Sequence, residues 1–224
     1  MKKKILILSP HADDEILGCG GLISKYSKKN YDINVLVLTN ANIGAPELYS
    51  DKDIIKIRNE AIKANNKIGT KKLYFENLPA LILKNYPIYK IANVIKNYFV
   101  KINPETVIIP SVNDIHDDHK IIFKAAKIAL RTNSRNNLKK ILSYEVLSET
   151  EWNENEKSFS PNYFVKLNKS DINLKIDAFL KYKTQVKNFP HPRSKEGILN
   201  LSKVRGSQVF TNYAEAFKVE KIID

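Results

Sequence analysis

The run "KILILSPHADDEILGCGG", Lys4–Gly21, decides the architecture. Ile5–Leu8 is an unbroken apolar stretch, which suits a strand buried on both faces of a parallel sheet. Pro10 stops it. A histidine, His11, then meets three consecutive acids (Asp13, Asp14, Glu15) and three glycines (Gly18, Gly20, Gly21). Three readings compete for that turn: a phosphate-cradling glycine loop, a metal site, or a helix cap with spare carboxylates.

The glycine loop is the weakest of the three. A dinucleotide fingerprint G-x-G-x-x-G begun at Gly18 needs glycine where Ile23 stands, and three acids beside it would repel a pyrophosphate. The glycines are better read as places where the first helix packs close to the sheet. The cap reading is open, since aspartate is a favoured residue just before a helix.

Downstream, short β-branched runs alternate with amphipathic ones. Strands are expected at Ile5–Leu8, Ile33–Thr39, Lys72–Phe75, Thr106–Pro110 and Ile141–Glu145, with helices near Glu15–Lys28, Asp53–Ile68, Ile88–Lys101 and Asp117–Arg131. In the second helix Ile54, Ile57, Ala61, Ala64 and Ile68 recur at helical spacing. Such alternation predicts an α/β, Rossmann-like, mostly parallel sheet with helices on both faces, and sites at the carboxyl ends of its strands. After Glu145 the rhythm changes. Glu149–Ser160 reads as a lid loop, followed by a strand near Tyr163–Leu167, a helix from Asp171 to Lys183 and an extended "FPHPRS" (Phe189–Ser194). A last helix at Lys195–Gly206 leads to a terminal strand. No linker or repeat intervenes, so residues 1–224 are expected to form one domain, with 145–224 packed on it.

With 37 Lys and Arg against 24 Asp and Glu, the net charge is +13. That favours anionic company, although scattered lysines also describe a merely solvated surface. No basic run interleaves with aromatics, so nucleic acid is not the expected partner. The apolar start is shorter than the ~7–15 residues of an export signal, and nothing approaches the ~20 apolar residues of a membrane span. A single cysteine, Cys19, excludes an internal disulfide and suits a cytoplasmic protein. Cys19 is read as a small buried apolar residue.

The metal reading gains support from "NDIHDDHK", Asn113–Lys120, which follows the strand at Thr106–Pro110. His116 and His119 lie three residues apart and share one face at a helix start. Three of the four histidines, His11, His116 and His119, thus gather after two strand ends together with Asp13, Asp14, Asp114, Asp117 and Asp118. Three protein ligands with a fourth position left to water is the pattern of catalytic zinc.

"PHADDE" (Pro10–Glu15) followed by "GCGG", and "HDDH" (His116–His119), resemble the two motifs of the PIG-L/LmbE-like zinc-dependent N-deacetylases. Ala12 and Asp117 stand where that family usually has proline. "RNEAIKAN" around Arg58, "SFSPNYFV" and "HPRS…RG…YAEAF" resemble its later segments. The resemblance implies Zn2+ held by His11, Asp14 and His119, with Asp13 as general base. It implies that His116, oriented by Asp118, stabilises the developing oxyanion as an imidazolium or assists proton transfer. It also implies removal of acetyl from an N-acetyl amino sugar or its conjugate, nucleotide- or phosphate-linked forms included, and a homo-oligomer. Arg58, His191 and Trp152 are the substrate-binding candidates, and each also reads as an ordinary surface or packing residue. A zinc hydrolase of another amide or ester is the nearest alternative.

Overall fold

The computed structural model describes residues 2–131, 137–153 and 158–224. Seven strands form one sheet: β1 (Lys4–Ser9), β2 (Asp32–Asn40), β3 (Lys72–Pro79), β4 (Thr106–Pro110), β5 (Lys140–Tyr144), β6 (Tyr163–Leu167) and β7 (Tyr213–Ile222). Their order is β3-β2-β1-β4-β5-β7-β6. The first five pair in parallel, and β7 inserts antiparallel between β5 and β6. The sheet is therefore mixed but mostly parallel, as expected. Both late strands join it.

Alternation along β1 divides the core in two. Ile5 and Ile7 face one side with residues of α1 (Asp14–Ser27), α3 (Asp51–Ile68) and α6 (Lys169–Phe179). Leu6 and Leu8 face the other, with α4 (Ile88–Ile102) and α5 (Asp117–Leu130). A period-2 strand buried on both faces reads as the continuous apolar run seen in the sequence. A short helix, α2 (Ala41–Gly44), follows β2, and α7 (Lys195–Ser207) packs on β7.

Gly18 lets α1 lie against the sheet. A β-carbon there would stand 2.1 Å from Cδ2 of the buried Tyr144 ring. The Tyr144 hydroxyl is held at 3.0 Å by the Leu8 carbonyl.

Two local expectations fail. Phe189–Ser194 forms turns and not an extended segment: the His191 N–H donates to the Asn188 carbonyl at 3.0 Å and the Lys187 N–H to that of Arg193 at 3.0 Å. The helix expected to reach Lys183 ends at Phe179, because Tyr182 and Thr184 turn inward to the carboxylates Glu15 and Glu60. The expected lid is described only in part. Thr150–Trp152 is a single helical turn, and residues 154–157 lie outside the described residues.

The sheet order reverses direction between β1 and β4. A crevice opens at such a switch point, outside the carboxyl ends of the two strands. His11–Asp14 leave β1 there, and Asp114–His119 leave β4.

Candidate active site

Three donor atoms form a triangle at the base of this crevice. His11 Nδ1 lies 3.4 Å from Asp14 Oδ2, Asp14 Oδ2 lies 3.2 Å from His119 Nε2, and the two ring nitrogens are 3.3 Å apart. A tetrahedral ion bound at ~2.0–2.1 Å has ligand–ligand edges of roughly 3.3–3.4 Å. The triangle has that size. Asp14 and His119 are fully buried, and Asp14 Oδ1 is buried without a hydrogen-bond partner. Two imidazoles and a carboxylate are a donor set that would suit zinc.

The charge around the triangle also calls for a cation. Burial alone would lower the His11 pKa, yet Asp118 and Asp14 hold it up to about 9. For His119, burial is again outweighed, by Asp14 and Asp114, and the ring is held well above its ordinary value. Carboxylates that favour a proton on these rings favour a divalent ion in its place.

Both imidazoles of the triangle are steadied from behind. Asp114 Oδ2 lies 3.1 Å from His119 Nδ1, which fixes that ring with Nε2 toward the triangle. Asp114 is itself held by the Thr150 hydroxyl at 2.9 Å and the His116 N–H at 3.0 Å. Asp118 Oδ2 lies 3.1 Å from His11 Nε2 and accepts the Leu81 N–H at 2.7 Å. The expectation that Asp118 orients His116 is therefore corrected: its carboxylate meets His11.

His116 occupies the N-cap of α5, where its Nδ1 accepts the Asp118 N–H at 3.1 Å. A ring nitrogen that accepts carries no proton, so the neutral ring holds its proton on Nε2. Burial, then the neighbouring His11 and His119, push its pKa down to about 4. The expected imidazolium gives way to a neutral N–H donor.

Asp13 answers the cap question. It stands at the N-cap of α1, yet its side chain makes no capping hydrogen bond. Its φ of 123° is a conformation that costs a non-glycine residue of order 1–3 kcal/mol and gathers at functional sites. The carboxyl is 2% exposed, and its pKa is raised to about 7 by burial, against the pull of Arg193. Arg193 Nη1 lies 3.4 Å from Asp13 Oδ2, and its other donors reach Ser148 at 2.7 Å, Glu149 at 2.9 Å and Gln185 at 3.3 Å.

The cleft above, about 220 Å³, has an apolar wall of Val37, Ile54, Ile57 and Phe75, with Arg58, Glu149 and Arg193 also on its lining. Arg58 is thus at the cleft. Its guanidinium lies over Phe75 at 5.0 Å and donates to the Glu76 carbonyl at 2.8 Å and to Asn77 at 2.7 Å, in place of pairing with Glu60 or Asp53. Trp152 and His191 do not line it. Trp152 is 62% exposed, and the His191 ring accepts the Arg193 N–H at 3.0 Å. Sequence reasoning gave no role to Asp114, Glu149 or Arg193. Only the motif neighbourhood of Asp114 and the "HPRS" string pointed toward them.

A doubly wound sheet with this acid and imidazole cluster at its switch point fits a hydrolase of the N-deacetylase class. The chain belongs to the PIG-L family, the GlcNAc-PI de-N-acetylases, whose model matches residues 6–130. It is 29% identical over 188 residues to the uncharacterized deacetylase YaiS of Escherichia coli (strain K12), covering 82% of this chain and 92% of YaiS. The fold is shared with the N,N'-diacetylchitobiose deacetylase of Pyrococcus horikoshii (TM-score 0.76, 21% identity, 97% of this chain and 83% of that one). It is also shared with the teicoplanin deacetylase Orf2 in a zinc-inhibited form (TM-score 0.76, 14% identity, 97% of both chains). Among the described residues, no helix is long and apolar enough to cross a membrane.

Proposed function

We propose that the protein is a zinc-dependent hydrolase that removes acetyl from an N-acetylated amino sugar or its conjugate. One observation carries this reading: a metal-sized triangle of His11, Asp14 and His119 beside a buried carboxylate, Asp13, whose oxygens are not used for capping. Zinc there would acidify water toward a pKa of ~7 and polarise an acyl oxygen.

The chain's own groups supply the rest. Asp13, ionised above about 7, takes the proton of the attacking water. The water oxygen bonds to the acetamide carbon, and the neutral His116 Nε2–H donates to the oxygen that gains charge. The C–N bond then breaks, Asp13 returns its proton to the departing amine, and a free amino sugar and acetic acid result, the acid ionising to acetate on release. Arg193 offsets the Asp13 charge before the first transfer and after the second. A cleft below the ~300–1,000 Å³ of drug-sized sites suits one sugar unit.

A specific feature favours an anionic conjugate. Lys52, Lys56 and Lys63 of α3, with Lys181 and Lys183, border a groove formed by residues of α3 other than those that line the cleft. Among the described residues none of these five is in an ion pair, and the buried Glu60 among them is taken by Thr184. By helical spacing the three lysines of α3 lie on its other face from Ile54, Ile57 and Arg58, so the group acts on an anionic substrate through its approach and not by contact in the cleft. The test compares kcat/KM for a neutral N-acetyl glycoside and its phosphate-linked form at rising salt. The anionic form is expected to be the better substrate at low salt, with the advantage shrinking as salt screens it. Equal turnover at every salt concentration contradicts this part of the reading.

A further inference from the structure

We propose that Glu15 and Tyr182 are positioning residues that hold Asp13 in its working conformation, tying the base at the end of β1 to the segment after α6. The proposal rests on the deacetylase reading and adds a pair of residues that never touch substrate.

Glu15 is fully buried in the first turn of α1. Its Oε2 accepts the Asp13 N–H at 3.0 Å and faces the Ser9 hydroxyl at 3.2 Å. Its Oε1 accepts from Asn65 Nδ2 of α3 at 2.8 Å and from the Tyr182 hydroxyl. The Asp13 N–H, Asn65 Nδ2 and the Tyr182 hydroxyl donate to it, while the Ser9 hydroxyl also reaches the His11 carbonyl at 2.6 Å, so the group suited here is an acceptor carboxylate. Asp13 is gripped by its backbone: its N–H goes to Glu15, and its carbonyl accepts the N–H groups of Ile16 and Leu17 at 3.0 and 2.9 Å. That leaves its side chain free for chemistry at a φ of 123°. A strained residue persists only where its surroundings over-determine it.

Tyr182 carries the support outward. It is fully buried 167 residues along the chain from Glu15. Nearby, the Thr184 N–H and hydroxyl bond Glu60 of α3 at 3.1 and 2.6 Å, and Gln185 lines the cleft and meets Arg193. The segment that fixes Glu15 from below therefore also sets the Arg193 side of the site.

Glu15→Gln keeps the shape and replaces one acceptor oxygen with a donor amide, so the donors that meet that oxygen lose their acceptor. Tyr182→Phe removes a single donor. Crystal structures of both variants are expected to show Asp13 departing from its wild-type φ. With zinc content unchanged, kcat is expected to fall ~10–100-fold for Glu15→Gln while KM stays within about 2-fold. Tyr182→Phe gives a smaller loss in the same sense. In an Asp13→Asn background neither change lowers the residual rate further, because the residue they act through is gone. Asp13 unmoved in both structures overturns the proposal, as does an equal loss of rate in the Asp13→Asn background. If Glu15→Gln does not fold, Tyr182→Phe carries the test. If wild-type protein releases no amine from any N-acetyl sugar, the deacetylase reading fails, and the position of Asp13 in the variants still decides this proposal.

Discussion

Asp13 and Asp14 are adjacent and chemically alike, and their surroundings give them opposite characters. Burial would raise both, but the imidazoles of His119 and His11 hold Asp14 well below the ordinary carboxylate range, while Asp13 is raised to about 7. One stays an anion for a cation to sit on; the other can take and return a proton. Asp13→Asn is expected to cost ~10²–10⁴ in kcat with zinc content intact, read by amine release and metal analysis together. Arg193→Gln removes the cation that lowers Asp13, so the acid limb of kcat/KM is expected to move to higher pH. A limb that stays or moves down contradicts the assigned base. Asp114→Ala leaves His119 Nδ1 unpartnered and is expected to weaken zinc binding ~10–100-fold in a chelator competition. The sequence made the donors legible through residue type and position after strand ends. It could not say which carboxylate meets which ring, because Asp118 faces His11 across 107 residues of chain. Nor did it find Arg193, whose partners Asp13, Ser148, Glu149 and Gln185 come together only in the fold.

At the scale of the element, α1 shows how close packing positions the site. The helix starts at a metal-ligand candidate, so its height over the sheet fixes where Asp14 sits. Gly18 sets that height against Tyr144, whose ring cannot swing away without releasing the Leu8 carbonyl. Gly18→Ala is expected to destabilise the fold by about 1–3 kcal/mol, seen as a lower urea midpoint at fixed zinc concentration. An unchanged midpoint contradicts the packing account. Helix periodicity and unbroken apolar strands carry local signals, and the four main helices and four of the first five strands were read close to their observed ends, whereas β3 runs four residues past the expected Phe75, to Pro79. The early end of α6 goes with long-range bonds, Tyr182 to Glu15 and Thr184 to Glu60, which local propensity does not encode. The turn at Phe189–Ser194 is closed by local backbone bonds that the two prolines leave possible. The short α2 carries no buried residue, so it left no apolar pattern to find.

For the whole molecule, the order β3-β2-β1-β4-β5 explains why two distant motifs make one site. β1 and β4 run parallel and the strand order reverses between them, so the residues after both strands meet at one crevice. The net charge of +13 was visible at once, but its distribution was not: five lysines share a groove, none of them in an ion pair among the described residues. The central claim joins the metal triangle to amide hydrolysis, and one measurement reaches both. Protein loaded with one equivalent of zinc is incubated with a panel of neutral and phosphate-linked N-acetyl amino sugars and analysed by mass spectrometry, beside chelator-treated protein and the His119→Ala variant. The account predicts loss of one acetyl mass from at least one sugar with the loaded wild type, and none with either control. Deacetylation that survives both chelation and His119→Ala, or zinc-loaded protein that leaves every sugar intact, contradicts it.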